Sequence, residues 1–422
     1  VITADLGAEL AAAVRAAAGA GHLPPDAVAA RPSGTWRRPP GAAPGSYASS
    51  LPFEIARRAG LRPARVAAIL AARLRAASWI HAVSVTGDGY LTVTVTPSAL
   101  AFLAVRIAAA GRACARSESL GGAELTAPPL PDLAAAPTWP QARRDQAAAL
   151  TGRLAAAAGA TVVVTPEAER TTSAASPAPP GAAPASVPVT APPAGPIGDP
   201  VAPGRESGPV LPGPRAGPVP PDPPVPVSAA VAYAGPDVVR YLLARTPAGE
   251  GAGPAGAGGT AGAGGTAGAD GTGATSPIVS NRLSDPAYLV RFAHADAGAV
   301  RRWAGDLGLA RTEADARLAR LLAHPAERVL LDQLSWLPER IAGAARRGRP
   351  EEFPRYLESV AAAWLDCREA CPALPFGGHA APRDAAGRSA RLWLAEAART
   401  VLGTGLELIG IGPAGLSHTG LL

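Results

Sequence analysis

Residues 352–371 read EFPRYLESVAAAWLDCREAC, and Phe353, Leu357, Val360, Trp364, Cys367 and Cys371 recur within them at steps of four and three. That period places all six on one face of a long amphipathic helix, since a strand would need alternation at two. Working outward, Ala287–Gly305 predicts a first helix and residues 313–323 a second. His324-Pro325 breaks the chain, and Leu330, Leu334 and Leu337 follow at helical spacing. Residues 388–409 predict a closing helix with Leu394, Ala398, Val401, Leu402 and Leu406 inward. Residues 283–422 therefore predict an all-α bundle of side-by-side antiparallel helices.

The other end of the chain has a different pattern. Ala4–Ala18, residues 51–59 and residues 63–77 predict helices, with Gly60 as a stop and Pro63 in a first turn. Ile80–Thr86 and Tyr90–Thr96 alternate apolar residues with Ser and Thr on either side of Gly87-Asp88-Gly89, a strong hairpin signal. Pro97 opens another helix reaching about Ala110. Residues 1–110 thus predict a compact module of helices and strands.

Between the two ends the pattern weakens. Trp139–Ala158 has helical character, and Thr161–Thr165 could be one buried strand. Residues 171–227 are Pro, Ala, Gly and Ser in proportions expected of a disordered linker. Val231–Arg245 is a short apolar segment, and residues 247–275 are almost pure Gly, Ala and Thr. The Gly-rich tract has no following helix and no lysine, so it does not predict a phosphate loop.

Composition removes several chemistries. All 39 basic residues are arginine, against 33 acidic ones, for a net charge of +6. Arginine stays charged and forms no Schiff base, so lysine-based catalysis is excluded. The positive balance fits a polyanion partner but is spread along the chain. Cys367 and Cys371 share a helix face; a zinc site there would need two more ligands, with His379 alone nearby, and packed helical cysteines are the favoured reading. Asp5, Glu9 and Arg15 interrupt the first apolar stretch, so no signal peptide is read. Runs such as Leu154–Val164 are too short to span a bilayer. The expectation is a cytoplasmic protein without a membrane partner.

The run Asp285-Pro286-Ala287-Tyr288-Leu289-Val290-Arg291-Phe292-Ala293-His294-Ala295 resembles the start of the DALR anticodon-binding domain of arginyl-tRNA synthetases. Gly235-Pro236-Asp237-Val238-Val239-Arg240-Tyr241 resembles the segment leading out of that family's catalytic domain. Arg355-Tyr356-Leu357-Glu358 and Glu396-Ala397-Ala398-Arg399-Thr400-Val401-Leu402 are similar to its later helices. Gly45-Ser46-Tyr47-Ala48-Ser49-Ser50 resembles a motif of its N-terminal domain, which packs on the tRNA elbow. Departures are specific: Ser46 and Ser50 stand for Asp and Asn, Arg291 for Gln, and Arg368 for a tyrosine that faces the anticodon; Leu416 is the apolar residue nearest the family's terminal methionine. General RNA affinity remains the expectation, while selectivity for an arginine anticodon is left open by these departures.

The resemblance implies an α+β N-terminal tRNA-binding module at 1–110 and an all-α DALR-type bundle at 276–422. Remnant core segments fall at 111–170 and 228–246, and disordered Pro/Gly/Ala-rich linkers at 171–227 and 247–275. It implies tRNA as partner, with a complete aminoacyl-tRNA synthetase as a further one. The class's two ATP signatures are absent from the sequence. No lysine exists for the KMSKS type, and none of His22, His81, His294, His324, His379 or His418 has a histidine three residues away. The leading expectation is a non-catalytic tRNA-binding protein without cofactor. The alternatives are a degenerate arginine–tRNA ligase, which alone would need ATP, and a protein-interaction scaffold reusing both folds.

The expected RNA contacts are Tyr47 at the elbow, Tyr288 and Phe292 as stacking faces for anticodon bases, and Arg346, Arg347 and Arg349 on phosphates. For each aromatic the competing reading is packing. For the arginines, which form a dense cluster with Arg340, it is a solvated helix end. Arg37 and Arg38 beside Trp36 form a second basic group. His294 reads as a core histidine.

Overall fold

The computed structural model describes residues 2–25, 36–165, 225–248, 283–315, 317–375 and 385–412. The expected linkers at 171–227 and 247–275 lie outside these ranges, apart from 225–227 and 247–248, as do His379 and Leu416.

Helix α1 (Ile2–Gly19) precedes a four-stranded antiparallel sheet of β1 (Trp36–Arg37), β2 (Ser46–Ser49), β3 (Ile80–Thr86) and β4 (Tyr90–Val95), in the order β1-β2-β4-β3. The expected hairpin is β3–β4, with Val83 opposite Val93 and Val85 opposite Leu91. Leu91, Val93 and Val95 are buried while their Thr neighbours are half-buried, as alternation on a one-sided sheet requires. Helices α2 (Leu51–Ala59) and α3 (Pro63–Leu74) cover the sheet. Gly60 ends α2 in the left-handed region at φ 63°, and Pro63 starts α3. Gly89 has φ 138° and lies so close to Pro63 that a Cβ would meet its carbonyl carbon at 2.7 Å, so the hairpin tip depends on glycine there.

Helix α4 (Pro97–Ala110) is capped by Thr96, whose hydroxyl accepts from the Ala99 N–H at 3.2 Å. Pro97–Ala115 is long and apolar enough to cross a membrane by length and composition. Here its Leu100, Leu103, Ala104 and Ile107 are buried in the core. Strand β5 (Glu124–Ala127), helix α5 (Trp139–Ala157) and strand β6 (Thr161–Val164) follow, with β5 and β6 parallel. The expected buried strand at 161–165 is corrected: Val163 and Val164 are exposed, because β6 has one neighbour and packs only its α5 side. The apolar segment at 231–245 is two helices, α6 (Val227–Ala234) and α7 (Pro236–Arg245), divided at Gly235-Pro236.

The C-terminal region is helical: α8 (Pro286–Asp306), the single turn α9 (Leu318–Leu321), α10 (Pro325–Ser335), α11 (Leu337–Arg346), α12 (Glu352–Ala370) and α13 (Ala385–Ile409). All six residues of the opening motif are buried, though Cys371 caps α12 rather than continuing it. The helix expected over 313–323 is only the turn α9. Leu330, Leu334 and Leu337 belong to two helices that meet at Trp336, where Pro338 restarts the backbone.

The two ends do not stand apart. One hydrophobic core runs from Ile2, Tyr47 and Ile107 to Leu337, Phe353 and Leu406. Tyr47 donates to Ser335 Oγ at 2.8 Å, Ser335 Oγ donates to the Asp332 carbonyl at 2.7 Å, and Thr3 Oγ1 donates to the Ser335 carbonyl at 3.1 Å. The central segment docks on the bundle as well: Arg153 donates to the carbonyls of Leu408 and Glu407, and Gln146 to that of Ile409.

Gly405 on α13 faces Leu357 on α12, and an added Cβ would meet Leu357 Cδ2 at 2.4 Å. Gly405→Ala is expected to destabilise by about 1–3 kcal/mol through overpacking, read as a lowered urea midpoint with unchanged m. Tyr47→Phe is expected to cost about 0.5–1.5 kcal/mol, the net worth of its one hydrogen bond, in the same measurement.

Candidate nucleic-acid interface

Helix α8 begins where Asp285 accepts from the N–H groups of Ala287 and Tyr288, with Pro286 in the first turn. This cap orients Tyr288, and Phe292 follows one turn later. Their rings stack at 5.7 Å between centroids with planes 19° apart, and both are half-buried. The pair therefore presents partial aromatic faces at one end of the bundle. His294 lies behind it against Gly403, and burial, aided by the Arg399 charge, lowers its pKa to about 4. It is a neutral packed histidine.

At the opposite end of α8, Trp303 is 46% exposed beside a cavity of about 220 Å³ that also includes Val300, Trp364, Cys367, Arg368 and Leu394. Arg368 Nη1 sits 2.9 Å from Asp296 Oδ1, and Trp364 Nε1 donates to the other oxygen at 3.0 Å. Burial raises the Asp296 pKa, and these two partners oppose the rise. Trp303 was not singled out from sequence; its signal was an aromatic beside Arg301 and Arg302 on an otherwise polar face. Cys367 and Cys371 are both buried, and burial raises the Cys367 pKa above its usual range.

The arginines behave individually. Arg347 and Arg349 are exposed at the end of α11; Arg347 pairs with Glu352, and Arg349 lies 3.4 Å from Glu352 and 3.9 Å from Glu351. Arg346 is half-buried, and its Nε and Nη1 have no hydrogen-bond partner among the described residues. Folding brings this cluster against the second basic group. Trp36, Arg37 and Arg38 from β1 and its exit, with Trp336, Glu339, Arg340 and Arg347, line a cleft of about 250 Å³. Arg38 pairs with the buried Asp332, which also accepts from the Gly45 N–H at 2.9 Å. Burial and then the nearby Arg340 charge lower the Arg38 pKa. Glu339 was not anticipated as a member: burial raises its pKa to about 7, against the pull of Arg346, Arg347, Arg340 and the Trp36 N–H.

Tyr47 requires a correction. It is fully buried, its ring 5.0 Å from that of Trp336 and its hydroxyl spent on Ser335, so no face or donor is left for an RNA elbow. The packing reading describes it.

Residues 5–95 match the family described as "Arginyl tRNA synthetase N terminal domain", and residues 290–415 match "DALR anticodon binding domain". The chain carries both domains. It is 38% identical over 130 residues to an arginine–tRNA ligase of Micrococcus luteus, covering 30% of this chain and 23% of that one. The corresponding enzyme of Renibacterium salmoninarum is 37% identical over 127 residues, covering 30% and 22%. That of Pseudarthrobacter chlorophenolicus is 30% identical over 190 residues, covering 43% and 29%. The matched part of this chain thus spans between a fifth and a third of the length of these relatives. The aromatic pair and Trp303 lie on opposite ends of a helix largely inside the DALR match, and the arginine cleft lies where the two matched domains meet.

His294 supplies a stability test with a defined sign. Its folded pKa of about 4 lies below the value of 6.5 it starts from, so between those values the unfolded chain binds the proton and the folded chain does not. Stability is full above pH 6.5 and falls as pH drops toward 4, by on the order of 1–3 kcal/mol. His294→Gln is expected to flatten that part of the pH–stability curve, measured as the difference from wild type in urea midpoints at pH 7, 6, 5 and 4.

Proposed function

We propose that this chain is a non-catalytic tRNA-binding protein in which the DALR region takes the anticodon loop. What carries the reading is the joining of two domains of tRNA-ligase type into one body with aromatic faces and an arginine cleft on its surface. The half-exposed aromatic pair Tyr288–Phe292 and the indole of Trp303 are suited to stack unpaired bases, each worth about 1–3 kcal/mol. Exposed arginines supply the salt-dependent attraction to the backbone. The chain's sequence, with no lysine and no pair of histidines three apart, supports absence of ATP activation, and no cofactor is assigned. Cytoplasmic placement goes with the same reading, as does a complete synthetase as a further partner.

The two domains share a core, so tRNA meets a fixed surface rather than two tethered arms, and affinity depends on the geometry of that surface. Fluorescence anisotropy of labelled tRNA across a salt series tests this. Wild type is expected to bind with a negative slope of log K against log salt. Tyr288→Ala is expected to weaken binding about 5- to 100-fold with the slope unchanged, because stacking releases no counterions. ATP–pyrophosphate exchange with arginine and tRNA is expected at background. Absence of tRNA affinity at low salt would favour the scaffold reading, and arginine-dependent exchange the degenerate ligase.

A further inference from the structure

The cleft between β1 and α11 has features that packing does not explain. Four guanidinium groups, from Arg37, Arg38, Arg340 and Arg347, line it together with one carboxylate, Glu339. Arg38 and Arg347 are ion-paired with Asp332 and Glu352, whereas Arg37 and Arg340 form no salt bridge among the described residues and Arg340 has only the electrostatic pull of the neighbouring Glu339. Four guanidinium groups against one cleft carboxylate leave an excess of positive charge, and the Arg38 pKa, lowered first by burial, is lowered further by the Arg340 charge. Trp336 in the cleft wall is 2% exposed, and its indole N–H has no hydrogen-bond partner among the described residues. Arg340 lies over its ring at 5.8 Å, which holds the guanidinium at the cleft.

We propose that this cleft is a phosphoryl-binding site in which Arg37 and Arg340 are the principal ligands. A phosphoryl group offers three acceptor oxygens to arginines that can donate in pairs, the geometry in which guanidinium exceeds ammonium. At about 250 Å³ the cleft is smaller than the ~300–1,000 Å³ of drug-sized sites, so it suits a small anion or a nucleoside monophosphate. Burial raises the Glu339 pKa to about 7, so near neutral pH a substantial fraction of the group is protonated, and that form can donate to a phosphate oxygen. The cleft exists only where the N-terminal strand meets the helical region, so a phosphoryl group there bridges the two matched domains. The phosphoryl group has two sources, an RNA backbone or a free phosphate or nucleotide. Only the first rests on the tRNA reading.

The test is isothermal titration calorimetry of full-length protein with inorganic phosphate and with AMP, beside tRNA anisotropy. Wild type is expected to bind both small ligands saturably. The Arg37→Ala/Arg340→Ala double variant is expected to lose at least 10-fold in affinity while its melting temperature stays near wild type, since both side chains are exposed. Arg340→Lys is expected to recover only part of the loss, and Arg328→Ala, an exposed arginine outside the cleft, to match wild type. If phosphate displaces tRNA and the double variant loses tRNA affinity by a similar factor, the occupant is an RNA phosphate. If tRNA binding is unchanged or absent while AMP binding is lost, the occupant is a free nucleotide. Wild type that binds neither phosphate nor AMP, or a double variant that binds them as wild type does, overturns the proposal.

Discussion

The buried carboxylate of Asp332 controls how the two ends of the chain meet. A carboxylate out of water is costly unless donors surround it, and removing one donor leaves an uncompensated charge. Its donors come from the far end of the sequence, the guanidinium of Arg38 and the N–H of Gly45. Three residues further along α10, Ser335 accepts from Tyr47 and presents its carbonyl to Thr3. The last turn of one helix therefore sets the position of the β1–β2 connection, of α1 and of the sheet. The surrounding Tyr47, Trp336 and Leu337 exclude water and make those polar bonds worth more than they would be at a surface.

The same economy appears at the other pole. The last carbonyls of a helix have no partner within it, and α13 ends inside the fold. Arg153 and Gln146 from α5 reach the carbonyls of residues 407–409, and Arg240 from α7 holds Gln146 by its Oε1 at 3.0 Å. Arg245 grips Glu358 on α12, and the Tyr241 hydroxyl donates to the Pro354 carbonyl. Segments whose sequence reads as remnants are thus fasteners for the bundle. Arginine serves because one planar group satisfies several acceptors at once.

These joints decide what the surface can do. Tyr47 goes to the inside, while Arg37 and Arg340, from positions hundreds of residues apart, come to line one cleft. Tyr288 and Trp303 stand at opposite ends of α8, about 20 Å apart by the helical rise. The aromatic faces and the cleft are held by a common core, so a change at the Asp332 joint would displace one relative to the other.

The helical period around Phe353–Cys371, the Val/Thr alternation about Gly87-Asp88-Gly89, the stop at Gly60 and the start at Pro63 were legible because each rests on local backbone geometry or on a single buried face. The stacked pair Tyr288–Phe292 was legible for the same reason, being one turn apart. The strand β5, the exposed face of β6 and the reduction of 313–323 to one turn were not, since each depends on which neighbour packs against it. Sequence by itself determined the two kinds of module, the all-arginine charge and the identity of both basic groups. Only tertiary structure decided that Tyr47 packs against Trp336, that the basic groups around Arg37 and Arg340 line one cleft, and that Glu339 lines it with them. Burial, charge pairing and cleft formation are properties of contacts between residues far apart in the chain, and no local pattern encodes which distant residue will supply the partner.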